Sequence, residues 1–174
     1  MEAQVEAGRL PEPDVVYIPL GTMGAAAGLA LGLGLTRLRT RIVAVRASSP
    51  GTSSEAGLRA MIEATNTTLR ALDATFPIVR DPAARVSIAG RQLGGGYALP
   101  TAAGRAALDA ARAQAGLHLE LTYTAKTMAE LAAQAPSRKN EVLLFWHTHN
   151  SRALDPGPIG WRDLPKELQG YFAH

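Results

Sequence analysis

Short apolar runs alternate along the chain with stretches whose apolar positions recur at helical spacing. Four such runs predict buried strands, at residues 15–20, 41–46, 86–88 and 141–146. Four helical patterns lie between them, at residues 25–35, 55–74, 102–115 and 126–134. Because the first strand, the first helix and the second strand follow directly on one another, they predict a βαβ unit with parallel strands. The order of elements therefore predicts one α/β domain around a mostly parallel sheet.

Polar and glycine residues mark the ends of these elements. Thr101 stands where an N-cap would begin the third helix, and Gly116 stands where that helix would end. The last part of the chain, from residue 151 onward, is rich in proline and glycine and has no long periodic stretch. We expect residues 1–152 to form the domain and residues 153–174 to form a tail, a loop with one helical turn.

Composition and charge narrow the class of protein. The 174 residues are 47% hydrophobic, which suffices for one packed core. The formal charge is +3, but the arginines are spread along the chain and form no basic run interleaved with aromatics, so we expect no nucleic-acid partner. The chain has no cysteine, which excludes disulfides, zinc-thiolate sites and thiol nucleophiles.

Nothing in the sequence predicts a membrane segment. Residues 1–13 have no apolar core of the kind that a signal peptide needs, and the apolar stretch at 25–35 is too short to span a bilayer. We expect a soluble, cytoplasmic protein.

The glycine turn Gly21-Thr22-Met23-Gly24 lies between the first predicted strand and the first predicted helix. A turn there directs free backbone N–H groups and the positive end of the helix dipole to one point, where an anion can bind. A dinucleotide loop fits poorly, because Arg46-Ala47-Ser48 ends the second strand where that fold needs an acidic residue. A Walker loop is absent, since no Gly-Lys-Ser or Gly-Lys-Thr follows. Two interpretations stay open: a phosphate cup for a small cofactor, or a tight turn without a ligand.

Three segments, taken in order, resemble a family of pyridoxal-phosphate (PLP) enzymes. They are VVYIPLGTMGAAAGL at 15–29, then GGYALPT at 95–101 continued by YTAKTM at 123–128, and VLLFWHTHNS at 142–151. Their order and spacing over residues 8–152 are similar to the 1-aminocyclopropane-1-carboxylate (ACC) deaminase and D-cysteine desulfhydrase family, which has the tryptophan synthase β fold (fold type II). The resemblance implies a three-layer α/β fold, with helices on both faces of the sheet, like the large domain of those enzymes. It also implies PLP as cofactor and a small amino acid as substrate.

The resemblance assigns roles to single residues. The backbone of Gly21-Thr22-Met23-Gly24 would cradle the cofactor phosphate, and Thr148 would face the pyridine nitrogen. Tyr97 would lie near the ring and the substrate, as an acid, a base or a stacking group. The alternatives are that Tyr97 only packs within its loop and that Thr148 only caps a strand.

The chain departs from the family pattern at several positions. Met23 replaces a glycine of the phosphate loop, and Ala25 stands where that loop has a hydroxyl residue. His149-Asn150 replaces a pair of glycines after His147-Thr148. We expect His147 and His149 to point to opposite faces of an extended segment and to share no metal.

The family's Schiff-base lysine has no counterpart here, because it belongs well upstream of the phosphate loop. Lys126 lies in a structural segment of the family, and neither Lys139 nor Lys166 has a matching context. We therefore expect the chain alone to be inactive: a fragment or subunit of a PLP-dependent lyase or deaminase that pairs with a lysine-bearing N-terminal part or self-associates. The alternative is a non-catalytic remnant, or a module that binds a small anion or a nucleotide.

Overall fold

The computed structural model describes residues 1–150, 152, 155, 157–158 and 160–170. Ser151, in the third resembling segment, and Ala153, at the expected start of the tail, lie outside the described residues. The strands are β1 (Val15–Leu20), β2 (Arg41–Arg46), β3 (Val86–Ala89) and β4 (Leu143–Phe145). The α-helices are α1 (Glu2–Glu6), α2 (Gly24–Gly34), α3 (Glu55–Leu72), α4 (Ala102–Ala115), α5 (Thr124–Gln134) and α6 (Lys166–Gln169).

The four strands form one parallel sheet in the order β3-β2-β1-β4. β1 lies inside the sheet, where Val15 pairs with Arg41 on one side and with Leu143 on the other. All six residues of β1 are buried, as expected of a central parallel strand covered on both faces. The carboxyl ends of β1 and β4 consequently lie side by side at one edge of the sheet.

Two helical layers cover the sheet. Ile18 and Leu20 of β1 pack in one cluster with the apolar residues of α2 and α3, whereas Val15 and Tyr17 face the opposite side and contact Leu131 of α5. α4 packs on α5 through a cluster that includes Ala111 and Ala125. The expected three-layer α/β architecture is confirmed.

A glycine allows a close contact at the end of α2, and capping residues define both ends of α4. A side chain at Gly34, the last residue of α2, would collide with Val79 Cγ1. At the start of α4 the Thr101 hydroxyl accepts a hydrogen bond from the Gly104 N–H at 2.9 Å, and Gly116 ends that helix with φ 62°. Both predicted ends of α4 are confirmed.

The chain differs from the sequence expectation at its ends. β4 covers only residues 143–145, because Glu141 belongs to a turn in which its N–H binds the Arg138 carbonyl at 3.0 Å. The short helix α1 was not predicted. The tail contains a 3₁₀ turn at Trp161–Asp163 and the four-residue α6. Among the described residues, no helix is both long and apolar enough to cross a membrane.

Candidate functional site

A cleft of about 250 Å³ opens at the carboxyl edge of the sheet, where β1 and β4 end. This point is a topological switch point of the sheet, because β2 pairs with one side of β1 and β4 pairs with the other. Open α/β sheets bind their ligands at such switch points. The lining residues come from the turn after β1, from the start of α5 and from the segment after β4: Pro19, Gly21, Thr22, Met23, Gly24, Ala25, Tyr123 and Thr148.

The N-terminus of α2 opens into this cleft without a cap. Met23 precedes the helix in the left-handed region, at φ 70°, and its side chain makes no capping hydrogen bond. The first bond into the helix runs from the Ala27 N–H to the Met23 carbonyl at 2.9 Å. Within the described part of the chain, the N–H groups of residues 24–26 bind no acceptor. Donors that the helix itself cannot satisfy therefore point towards the cleft.

At the other long helices, a side chain at or just before the N-terminus accepts hydrogen bonds from N–H groups of the first turn. Ser54 accepts from the Gly57 N–H at the start of α3, as Thr101 does at α4. At α5 the Glu120 carboxylate accepts from the N–H groups of Tyr123, at 2.7 Å, and Thr124, at 2.6 Å. An internal carboxylate thus occupies the positive end of α5, whereas the positive end of α2 is left for an external anion.

Tyr123 forms the wall of the cleft opposite the glycine turn. Its ring lies so close to Gly21 that a Cβ there would stand 2.9 Å from Tyr123 Cε1. Its hydroxyl donates to the Tyr97 hydroxyl at 3.1 Å, with the two ring centroids 6.1 Å apart in an edge-to-face arrangement. We did not assign Tyr123 a role from the sequence, although it begins the YTAKTM stretch of the resemblance.

The environment of Tyr123 keeps its phenol protonated. The hydrogen bond to Tyr97 raises the pKa of Tyr123 to about 12, and burial and electrostatic repulsion from Tyr97 and Glu120 act in the same direction. At neutral pH the hydroxyl is therefore a hydrogen-bond donor with a firmly held proton.

Tyr97 does not line the cleft, and it is connected to the cleft by its hydrogen bond with Tyr123. It lies in the loop of residues 90–100 and is 57% exposed. Its two neighbours have left-handed backbones, Gly96 at φ 142° and Ala98 at φ 59°. With this backbone conformation the Tyr97 side chain extends from the loop, and its hydroxyl accepts the hydrogen bond from Tyr123.

Thr148 lines the cleft on the side of β4. The neighbouring His147 places Nε2 3.1 Å from the His118 carbonyl oxygen, and its ring centroid lies 6.1 Å from that of His149, edge to face. The expectation that these two histidines face opposite sides is wrong, because residues two apart on an extended segment share a side. In the described ranges, no three metal-ligating side chains lie together.

The lysines lie away from the cleft. Lys126 is fully buried, and its Nζ donates to the carbonyls of Leu93, at 2.9 Å, and Gly96, at 3.1 Å. Burial lowers the pKa of the Lys126 ammonium, while Glu120 acts in the opposite direction. Lys139 is exposed beyond α5, and Lys166 begins the short helix α6.

Comparisons with known proteins identify the family of the chain and its fold. A sequence profile of the family described as "Pyridoxal-phosphate dependent enzyme" matches residues 1–148. A crystal structure of an ACC deaminase homologue superposes with a TM-score of 0.64 at 20% sequence identity, over 84% of this chain and 42% of that chain. The chain thus spans less than half the length of this structural neighbour, and no curated protein matches it. From the profile match over most of its length, the chain belongs to the pyridoxal-phosphate dependent enzymes, a family whose cofactor is PLP.

Proposed function

We propose that this chain supplies the phosphate cup and the pyridine-nitrogen partner of a PLP-dependent lyase or deaminase that acts on a small amino acid. The observation that carries the proposal is the uncapped N-terminus of α2, which opens into the cleft that Thr148 and Tyr123 also line. The name of the structural neighbour, an ACC deaminase homologue, supports deamination as the type of reaction. Desulfhydration is the alternative that the sequence resemblance offers.

The residues present fit the phosphate end of PLP. The free N–H groups of residues 24–26 can each donate to a phosphate oxygen, and the helix dipole favours its negative charge. Gly24 has no atom within 4 Å of the place that a Cβ would take, so the approach to these donors is open. The exposed Thr22 can add a hydroxyl, which offsets the absence of one at Ala25.

Thr148 and Tyr123, which line the cleft, fit the other end of the cofactor. A hydroxyl at Thr148 can hydrogen-bond the pyridine nitrogen without adding a charge beside it. PLP, when bound, supplies an electron sink that stabilises negative charge next to the amino group of the substrate. Tyr123, which lines the same cleft, holds a proton at its Oη, and its hydrogen bond to Tyr97 fixes the direction of that hydroxyl.

None of the lysines in the described residues lines the cleft. We therefore propose that the covalent lysine comes from a separate segment, either an N-terminal part or a partner chain, and that this chain alone does not catalyse the reaction. Incubation with PLP, borohydride reduction and mass spectrometry should then leave no stoichiometric adduct on Lys126. Such an adduct would contradict this part of the proposal.

The phosphate cup is tested by placing a negative charge at the N-terminus of α2. Ala25 is exposed at the second position of α2, so Ala25→Asp puts a carboxylate at the same helix end as the phosphate. A first-turn carboxylate stabilises a helix by about 0.3–1 kcal/mol, so the variant should be at least as stable as the parent. Its affinity for PLP should nevertheless fall by about tenfold or more, because each 1.4 kcal/mol of repulsion is a factor of ten.

Two variants serve as controls for this test. Ala25→Asn has similar size without the charge and should retain most of the affinity. Ala103→Asp places the same charge at the second position of α4 and should leave PLP binding unchanged. If Ala25→Asp and Ala103→Asp bound PLP with equal affinity, the proposed phosphate cup at α2 would be refuted. A melting temperature raised by adenine nucleotides and not by PLP would favour the alternative of a nucleotide-binding module.

A further inference from the structure

Lys126 is a buried cation whose partners are two backbone carbonyls. The whole residue is inaccessible to solvent, and its Nζ donates to Leu93 O and Gly96 O at 2.9 and 3.1 Å. No carboxylate lies within ion-pair distance of it in the described part of the chain. Burying an ammonium is costly unless its protons are bonded, so these two hydrogen bonds tie the position of the amine to that of the loop.

The loop that Lys126 binds contains one short 3₁₀ turn, Arg91–Leu93, and is otherwise irregular. Gly94, Gly96 and Ala98 all have left-handed backbones, with φ of 65°, 142° and 59°. The backbone hydrogen bonds within the loop are long, 3.2 Å from the Leu93 N–H to Gly90 and 3.4 Å from the Gly96 N–H to Leu93. Contacts from outside the loop must therefore select this conformation among its alternatives.

A second attachment lies one turn further along α5. Glu130 is 3% exposed, and its carboxylate accepts from Arg91 Nη2 and from Gln92 Nε2, both at 3.1 Å. Because residues four apart lie on the same side of a helix, Glu130 holds the beginning of the loop while Lys126 holds its middle. Tyr97 follows directly on Gly96, whose carbonyl accepts from Lys126.

We propose that Lys126 is a positioning residue, whose ammonium holds the Leu93–Gly96 turn so that the Tyr97 hydroxyl meets Tyr123 beside the cleft. The inference rests on the proposed function only in taking the tyrosine pair to serve the cofactor site. Lys126 itself does not line the cleft. Its effect passes through the loop backbone to Tyr97.

The first test replaces the ammonium by an apolar chain of similar length. In Lys126→Met, the nuclear Overhauser contact between the Tyr97 and Tyr123 rings should be lost in the cofactor-free protein. The matched control is Lys139→Met, an exposed lysine beyond the same helix, which should keep the contact. A Lys126→Met protein that folds and keeps the ring contact would overturn the proposal.

Rescue separates positioning from general stability. The chain contains no cysteine, so a single Lys126→Cys can be alkylated with 2-bromoethylamine in denaturant and refolded, which restores an ammonium at nearly the original distance. The ring contact should be absent before alkylation and present after it. If the alkylated protein regains its melting temperature but not the contact, Lys126 is structural only and the proposal fails.

A third variant keeps Lys126 and tests the proposal even if the Lys126→Met and Lys126→Cys proteins do not fold. Replacement of the Gly96–Tyr97 peptide by an ester, with the hydroxy-acid analogue of tyrosine at 97, weakens the Gly96 carbonyl as an acceptor. The ring contact should weaken, whereas an ester at the Ala110–Ala111 peptide in α4 should leave it intact. An unchanged contact in the Gly96 ester would contradict the proposal. Because no PLP is present in these measurements, a failure of the phosphate cup in the Ala25→Asp test remains distinguishable.

Discussion

The ring of Tyr123 packs directly on the backbone of Gly21, 102 positions earlier in the chain, at a distance that leaves no room for a side chain at position 21. This contact joins the start of α5 to the turn after β1 and closes one side of the cleft. It fixes the position of the Tyr123 hydroxyl relative to the free N–H groups of α2.

We expect Gly21→Ala to displace the Tyr123 ring. The added Cβ would stand 2.9 Å from Cε1, and overpacking of this kind costs about 1–3 kcal/mol of unfolding free energy. Urea denaturation measures the loss. The control is Gly32→Ala on α2, where nothing lies within 4 Å and alanine should stabilise the helix by about 0.5–1 kcal/mol. If both variants gained stability, the contact would not be as tight as described.

The left-handed Ala98 should be a site of strain. An alanine in the left-handed region costs about 1–2 kcal/mol of folding free energy, which glycine would not incur. The greater conformational freedom of glycine in the unfolded chain offsets about 0.5–1 kcal/mol of this gain. Ala98→Gly should therefore raise the unfolding free energy by about 0.5–1 kcal/mol. Ala110→Gly, on the exposed side of α4, should lower it by a similar amount. A loss of stability in Ala98→Gly would show that the backbone at 98 is not left-handed.

The tyrosine pair predicts a dependence of stability on alkaline pH. The pKa of Tyr123 is raised from 10.0 to about 12 in the folded protein, so the stabilisation from its protonated form is complete below pH 10 and is lost as the pH rises towards 12. In Tyr97→Phe the hydrogen bond that is the largest cause of this raised pKa is absent. The unfolding free energy should consequently fall less steeply across this window than in the parent protein. The buried Tyr17, whose pKa burial also raises, contributes equally to both proteins and cancels in the comparison. Identical slopes would contradict the hydrogen bond between the tyrosines.

Much of the fold could be predicted because its signals are local. The six residues of β1 form an apolar run, and three of them are β-branched. Thr101 and Gly116 mark the ends of α4 by their own hydrogen-bonding and conformational preferences. β4 was predicted too long because apolar residues continue beyond the paired ones. Trp146 still donates its N–H to the Tyr17 carbonyl, at 2.9 Å, after the strand has formally ended.

The site was predictable only in part. The glycine turn and Thr148 were found from segments near the ends of strands, and the structure places them around one cleft. The role of Tyr123 depends on its contact with Gly21, and that of Lys126 on carbonyls about 30 residues earlier in the chain. Such tertiary relationships leave no periodic pattern in the sequence. The histidine pair was misjudged for a geometric reason, the two-residue period of an extended chain.

Binding of the PLP phosphate by the free N–H groups at the start of α2 is tested by titrating the ¹⁵N-labelled chain with PLP, with inorganic phosphate and AMP for comparison. We expect the largest amide shifts on Gly24, Ala25 and Ala26. Phosphate alone should move the same amides at higher concentration, and AMP should move them less. If PLP leaves these amides unchanged, or shifts the start of α4 as strongly, the phosphate cup is not at α2.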